Sequence, residues 1–433
     1  MKVKSKDRLN RKLKLITTKT LIGGVDIAKH TQWARFVDYR GIEIGGAIRF
    51  NNDKNGFEDI LAAIRSLCKE YRLKHAVIGM EPTGHYWKAL ANFLMKQKNI
   101  TVVLVNPYAT KRAKELDDNS PTKSDKKDSL TIAKLVKDGR YFETYLPHDV
   151  YADLRVLSTT RQGLNKRKSA IKNTITAIMD EYFPEFTSVF KHPLKGKASR
   201  HLMKTLPFPG FILEAGEEGV LEEVRAAVRK TVGRKKVQQL LKAAASSIGV
   251  DYGEEAARFK LRQMVEELEL LDSQTEELEA KMSQMLEQVP HTKYLLSVKG
   301  FGIVTLATCL GELGDPLRFD DPKQMARMAG YNLMEDSSGK NKSGTCISKR
   351  GRKALRCVLY QMALTMVAVN PEMKRLYAYL KTRKENPLKK AQALVVISKK
   401  ILTLIYTLSK KQEMYKPKKV FGVVRKKQLA KSA

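Results

Sequence analysis

The chain has 433 residues, is 42% apolar, and carries 81 Lys and Arg against 46 Asp and Glu, a formal charge of +35. That length supports two to four domains, and a charge so far beyond what solubility needs calls for a polyanionic partner, nucleic acid ahead of membrane. No apolar run reaches the roughly eighteen residues of a bilayer span, the basic N-terminus lacks the apolar stretch of a secretory signal, and the four scattered cysteines (Cys68, Cys309, Cys346, Cys357) show no CxxC pair, which argues against a disulfide framework or a zinc site.

Residues 1–20 read as a basic arm, disordered or in contact with nucleic acid. Residues 21–52 read as three short strands, LIGGVDIA, WARFVDYR and GGAIRFNN. The stretch 55–73 places Phe57, Ile60, Leu61, Ile64 and Leu67 at helical spacing, and predicts a helix. A strand over 74–80, a helix over 85–98 and a continuous apolar strand over 100–106 follow, the last as expected of a buried parallel strand. Pro107 opens a helix to Leu116, since proline suits the first helical position. The polar, proline-containing DDNSPTKSDKKD joins it to a further helix and reads as mobile.

Residues 150–183 read as a helix with Arg155, Arg161, Lys166, Arg167, Lys168 and Lys172 among its apolar positions, either a solvated face or one that tracks phosphates. Shorter helical pieces, broken by Pro193, Pro207 and Pro209, occupy 190–250. In 254–289, Leu261, Met264, Leu268, Leu271, Thr275, Leu278, Met282, Met285 and Val289 keep a strict 3-4 alternation. That is a coiled-coil pattern, joining copies of the chain or folding back on the 150–183 helix; one long amphipathic helix within its own domain also fits. From 291 the chain reads as helix, a glycine hairpin at Gly300-Phe301-Gly302, and helix, a helix-hairpin-helix candidate with backbone N–H groups suited to phosphate. A helix ending at Gly330, a flexible Gly-, Ser- and Lys-rich segment over 333–352, helices over 353–369 and 388–408, and a basic tail from Ser409, disordered in part, complete the chain.

Four acids carry the chemistry. Asp26 and Glu81 each close an apolar strand, where a carboxylate is costly unless it is paired or binds a cation. Asp125 and Asp128 lie at i and i+3 where a loop enters a helix, so they project from one face. Carboxylates from two strand ends and one helix converge on a point suited to a hard cation such as Mg²⁺. Singly each has a plainer reading: Asp26 as a turn acid, Asp125 and Asp128 as a helix cap and its partner. His85, just after Glu81, either touches this site or starts the following helix. The element order, with acids on the first strand, the fourth strand and the last helix, is that of an RNase-H-like nuclease core.

The motifs GVDIAK, GMEPTGHYW, VNPYATKRAKE, KSDKKDSLTIAKL, LSVKGFGIVTLATCLGELGDPLRF, MAGYN, DSSG and ISKRGRKALR together resemble those of the DEDD transposases of bacterial insertion sequences, family one hundred and ten, over roughly residues 21–408. The resemblance implies a RuvC-like α/β domain over 21–145, a helical, coiled-coil region over 150–290 and a mostly α C-terminal transposase domain over 291–408, flanked by the arm 1–20 and the tail 409–433. It implies a bacterial, cytoplasmic, nucleoid-associated recombinase of donor and target DNA, directed by a structured noncoding RNA; the coiled-coil pattern adds the expectation of a homo-oligomer, a dimer or tetramer. It assigns the metal ligands to Asp26, Glu81, Asp125 and Asp128 and the nucleophile to Ser338, with Ser337 and Ser343 as alternatives because AGYNL departs from the usual AGLxP. Nucleic-acid contacts are expected from Lys299, Gly300, Gly302, Lys340, Lys342, Lys349, Arg350 and Arg352, with help from Arg356. Two rival readings remain at this stage: a metal-dependent, structure-selective endonuclease that uses water and no serine, and a non-catalytic nucleic-acid-binding protein whose acids only cap and pair.

Overall fold

A computed structural model describes residues 9–118, 125–228, 233–334, 337–338, 341–342 and 346–430; of residues 116–118, 125, 337–338, 341–342, 426 and 430 it describes the backbone alone. The chain divides into two compact units, Met1–Leu146 and Pro147–Ala433.

The first unit is a sheet covered by helices on both faces. Its strands are β1 (Thr20–Asp26), β2 (Thr31–Val37), β3 (Glu43–Asn51), β4 (His75–Met80), β5 (Ile100–Val105) and β6 (Tyr141–Glu143), in the spatial order β3-β2-β1-β4-β5-β6. β1, β2 and β3 form an antiparallel meander, β4 and β5 add parallel to β1, and β6 closes the edge antiparallel to β5. This is the mixed α/β sheet expected from the element order. The short β6 went unread, because three residues carry no usable alternation. The helices are α1 (Lys54–Glu70), α2 (Trp87–Met95), α3 (Pro107–Asp118) and α4 (Asp125–Lys137). Asp53 caps α1 by accepting from the Gly56 N–H. One face of the sheet packs on α1 and α2 through Phe36, Ile78, Ile60 and Leu90, the other on α4 through Ile22, Val77, Ile132 and Val136. In the described part of the basic arm, a helical turn over 9–13 lies against Gly139, and the Tyr141 hydroxyl donates to the Lys12 carbonyl at 3.0 Å.

The second unit is helical. Two 34-residue helices, α5 (Asp149–Tyr182) and α10 (Glu254–Glu287), run antiparallel, as shown by the ion pairs Arg161–Glu279 and Lys168–Asp272. At a rise of 1.5 Å per residue each is about 50 Å long, and the pair serves two cores. The first gathers Ile175, Phe183, Phe186, Leu202, Phe208 and Val224 around α6 (Phe186–Val189), α7 (Lys197–Thr205), α8 (Pro209–Ala227) and α9 (Arg234–Ala245). Pro209 starts α8, as a first-turn proline can, and does not break it. The second core holds Leu154, Met282 and Leu286 together with α11 (Thr292–Leu296), α12 (Ile303–Leu313), α13 (Pro322–Met328), α14 (Lys353–Val369), α15 (Pro371–Thr382) and α16 (Lys390–Lys411).

The 3-4 stripe of α10 is consumed inside the chain. Leu261, Leu268 and Leu271 are buried in the first core and Met264 packs against it; Met282 and Val289 are buried in the second, with Leu278 and Met285 against it. Buried Thr275 returns its hydroxyl to the Leu271 carbonyl at 2.6 Å. The stripe is therefore spent on packing within the chain, against α5 and the shorter helices of both cores, and these nine positions are not left to join protomers.

α15 was not expected; Pro371 opens it and the Asn370 side chain accepts from the Met373 N–H. α16 is long and apolar enough to cross a membrane, yet half of its apolar window is buried, with Ile397, Ile401 and Ile405 at the centre of the second core. The tail expected to be partly disordered continues as α17 (Val423–Ala430), and it buries Val420 and Leu429.

Candidate active site

β1 and β4 are parallel neighbours in the register Gly24↔Gly79 and Val25↔Met80. The next residue on each strand is Asp26 and Glu81, so the two acids leave adjacent strands at the same level, about 5 Å apart in the backbone. Both are half-buried. The Thr83 hydroxyl donates to Glu81 Oε1 at 3.0 Å, which steadies the carboxylate just beyond the strand.

Two glycines bring the third element down onto this corner. A Cβ on Gly24 would lie 2.0 Å from the Ser129 carbonyl oxygen and 2.4 Å from the Ala133 nitrogen; one on Gly79 would lie 2.4 Å from Val136 Cγ2. α4 thus crosses β1 and β4 in contact with their backbones, and only residues without a side chain allow that approach. Side chains two apart on a strand share a face, so Asp26 faces the same side as Gly24, toward α4. The first turn of α4 is fixed at that level. Lys126 Nζ sits 4.7 Å from the ring centroid of Trp33, the residue opposite Asp26 on β2, and Arg35 donates to the Lys126 carbonyl at 3.5 Å. The Gly24 and Gly79 contacts were missed from sequence; glycine inside an apolar strand run was the signal available.

Asp128 sits one turn into α4 and is only 6% exposed. Lys114 of α3 forms an ion pair with Asp128 Oδ2, while Oδ1 is buried with no hydrogen-bond partner. The side chain of Asp125, at the start of α4, lies outside the described residues. Among the described residues no three Asp, Glu, His or Cys side chains form a closed ligand set. The donors nevertheless suit a hard cation: they are carboxylates, and Asp128 keeps a buried oxygen whose lone pairs nothing else takes. His85 is exposed and stacks on Tyr86 at 4.1 Å, and its carbonyl accepts from the Lys88 N–H, so it serves the entry to α2.

In the second unit, the described residues of 333–347 pair as a β-ribbon of two short ladders. β7 (Leu333–Met334) pairs with β10 (Cys346–Ile347), and β8 (Ser337–Ser338) with β9 (Asn341–Lys342), Ser338 facing Asn341. The base is closed by backbone bonds Ser348 N–H to Asn332 O (2.7 Å), Lys349 N–H to Gly330 O (3.0 Å) and Arg352 N–H to Met328 O (2.8 Å). The side chains of Ser337, Ser338 and Lys342, and the whole of Lys340 and Ser343, lie outside the described residues.

Lys349 and Arg350 are exposed beside the ribbon. Arg352 donates to the Glu312 carbonyl, and Arg356 donates to the carbonyls of Ala329 (2.9 Å) and Lys349 (3.2 Å), so both brace the ribbon's base. In the glycine hairpin, Gly300 has φ 106° and packs on Met366 and Val369, the Lys299 carbonyl accepts from Asn370, and Gly302 precedes the first turn of α12. The five-residue α11 makes the first arm of that hairpin short.

The basic face expected on α5 is largely neutralised. Arg155 pairs with Glu312, Arg161 with Glu279, Arg167 with Glu267 and Lys168 with Asp272. These four side chains hold α10 and α12 to α5, so they are not a row of free cations for phosphates.

Two family models match the chain. One, described as "Transposase" and of the DEDD IS110 type, covers residues 23–184, with all four acids; the other, "Transposase IS116/IS110/IS902 family", covers 292–378, with the hairpin and the ribbon. The chain belongs to the IS110 transposase family. Its relatives include the "Insertion element IS110 uncharacterized 43.6 kDa protein" of Streptomyces coelicolor, 22% identical over 70% of this chain and 74% of the relative. The "Insertion element IS900 uncharacterized 42 kDa protein" of Mycobacterium paratuberculosis is 21% identical over 62% and 66%. As a member of the IS110 family the protein is a DNA transposase, and the DEDD character of its first unit implies a divalent metal.

Proposed function

We propose that this IS110-family transposase cuts and rejoins donor and target DNA through a serine-linked intermediate, directed by a structured noncoding RNA. Asp26, Glu81, Asp125 and Asp128 would hold Mg²⁺. The metal would lower the charge on the scissile phosphate and help activate the attacking oxygen. Ser338 Oγ attacks the phosphorus; a P–O bond to serine forms as one strand P–O bond breaks, the serine proton leaves, and the departing oxygen takes up a proton. Attack by the released hydroxyl of another strand then frees the serine and joins the DNA. The observation that carries this reading is the meeting of Asp26 and Glu81 in one register beneath α4, with a buried, unsatisfied oxygen on Asp128. The segment suits the serine role: the backbone of Ser337-Ser338 is held in a ladder, and Lys349 and Arg350, a few residues on, are exposed. A formal charge of +35 is enough to engage DNA and RNA together.

The test is Ser338→Ala. It should bind nucleic acid as wild type does and fail to join strands. Wild-type protein stopped on a nicked substrate should carry DNA bonded to the peptide that contains Ser338, identified by mass spectrometry. An adduct on Ser337 or Ser343 would move the nucleophile by a few residues and keep the mechanism. Normal joining by Ser338→Ala with no adduct would leave the acids and water, the reading of a hydrolytic RuvC-like nuclease.

A further inference from the structure

The C-terminal segment, most of it beyond both family matches, builds a cavity. It lies between α16 and the turn that leads into α17, with a volume of about 270 Å³. Lys399, Lys400 and Thr403 of α16 line it on one side, Phe421 and Arg425 on the other. The rest of its wall is Leu376, Val396 and Gly422, so no carboxylate faces it. Among the described residues none of the three cations belongs to an ion pair, although four of the six basic side chains of α5 do. The Lys400 ammonium turns to the Val420 carbonyl and lies 5.6 Å from the Phe421 ring, and the Arg425 guanidinium lies 5.4 Å from that of Tyr379. Rings and a carbonyl are what the fold offers these charges in place of an anion.

From this arrangement we infer that Lys399, Lys400 and Arg425 form a binding pocket for a phosphodiester of a nucleic-acid strand, with the adjoining base against Phe421. Three converging cations with no acid are a destabilising arrangement in the empty fold. Burial pushes the Lys400 ammonium below its usual range, and the like charge of Arg425 adds to this; burial alone does the same to Lys399. An anion relieves all three at once, and the guanidinium fork of Arg425 matches phosphate oxygens. Phe421 is half-buried, and an aromatic ring at the edge of a cationic groove is how sequence-tolerant strand binding is built. This inference is independent of the serine chemistry: it concerns where a strand is held, and it stands or falls on binding alone.

The experiment measures the salt dependence of full-length protein binding to a fluorescent 20-nucleotide DNA and to an RNA of the same sequence. Each contact to a single strand contributes a slope of about 0.7 in log affinity against log salt. The double variant Lys399→Gln/Arg425→Gln should therefore have a slope shallower by about 1.4, two such contacts, than a charge-matched control, Lys191→Gln/Lys195→Gln. A change with DNA only, RNA only or both identifies the strand the pocket takes. In parallel, 4-thiopyrimidine strands irradiated with the wild-type protein should crosslink to the tryptic peptide Val420–Arg425, a measurement that needs no variant to fold. A double variant that tracks the control on both strands, or the absence of any crosslink in that peptide, overturns the inference.

Discussion

Asp128, which we propose as a metal ligand, is held by a lysine in this structure. One carboxylate oxygen is paired with Lys114, and the other is buried without a partner. A buried carboxylate needs a counter-charge, and removing one member of such a pair costs about 3–5 kcal/mol when the other stays buried. Lys114 is partly exposed, which lowers the figure here to about 2–3 kcal/mol. Lys114→Met should therefore lower the melting temperature in EDTA, and Mn²⁺ should restore more of it than it adds to the wild type, since the ion then replaces the missing charge. Equal Mn²⁺-induced shifts in both proteins would mean that Lys114 does not stand in for the cation. Asp26→Asn should leave melting in EDTA near that of wild type and abolish strand cleavage; full cleavage by this variant would remove Asp26 from the ligands. Asp26 and Glu81 were legible as candidates in the sequence because a carboxylate at the end of an apolar strand is costly unless paired. Lys114 was not: in VNPYATKRAKE it is one cation of three, and only the packing of α3 on α4 singles it out.

At the scale of elements, close approach decides the site. α4 touches the sheet at Gly24 and Gly79, so the register of β1 on β4 also sets where Asp128 arrives. In Gly24→Ala the new methyl meets backbone, which cannot rotate away. Overpacking costs typically about 1–3 kcal/mol, and the upper end applies here. The variant should melt lower and bind Mn²⁺ more weakly, because α4 lifts away from Asp26; unchanged melting would be incompatible with this contact. The α10 stripe teaches the complementary lesson. Its heptads were plain in sequence, but periodicity names an apolar face and not its partner. Two cores of the same chain take that face. Leu268→Asp puts a charge at a fully buried position, a change that costs several kcal/mol. Calorimetry should show loss of the cooperative transition; a folded species of lower mass would mean that α10 joins copies after all.

Across the whole molecule, net charge and usable charge differ. The formal +35 predicts strong binding to any polyanion, yet the fold withdraws much of it. The cations of α5 pair with acids on α10 and α12, and Arg352 and Arg356 brace the ribbon. Sequence could count these residues but not pair them, since the partners of α5 lie about 100 to 160 positions away. What remains for nucleic acid is a smaller, placed set of cations, and placed cations can discriminate where diffuse charge cannot. Affinity for random RNA should therefore fall steeply as salt rises, as counterion release requires. RNA folded from the noncoding sequence beside this gene should fall less steeply, because contacts to its shape persist when screening removes the rest. Filter binding at low and moderate salt, with the two RNAs at equal length, measures the ratio. A ratio that grows with salt supports direction by that RNA. Equal affinities at every salt concentration would leave charge alone and remove the guide from the mechanism, while the acids and Ser338 could still be tested on DNA.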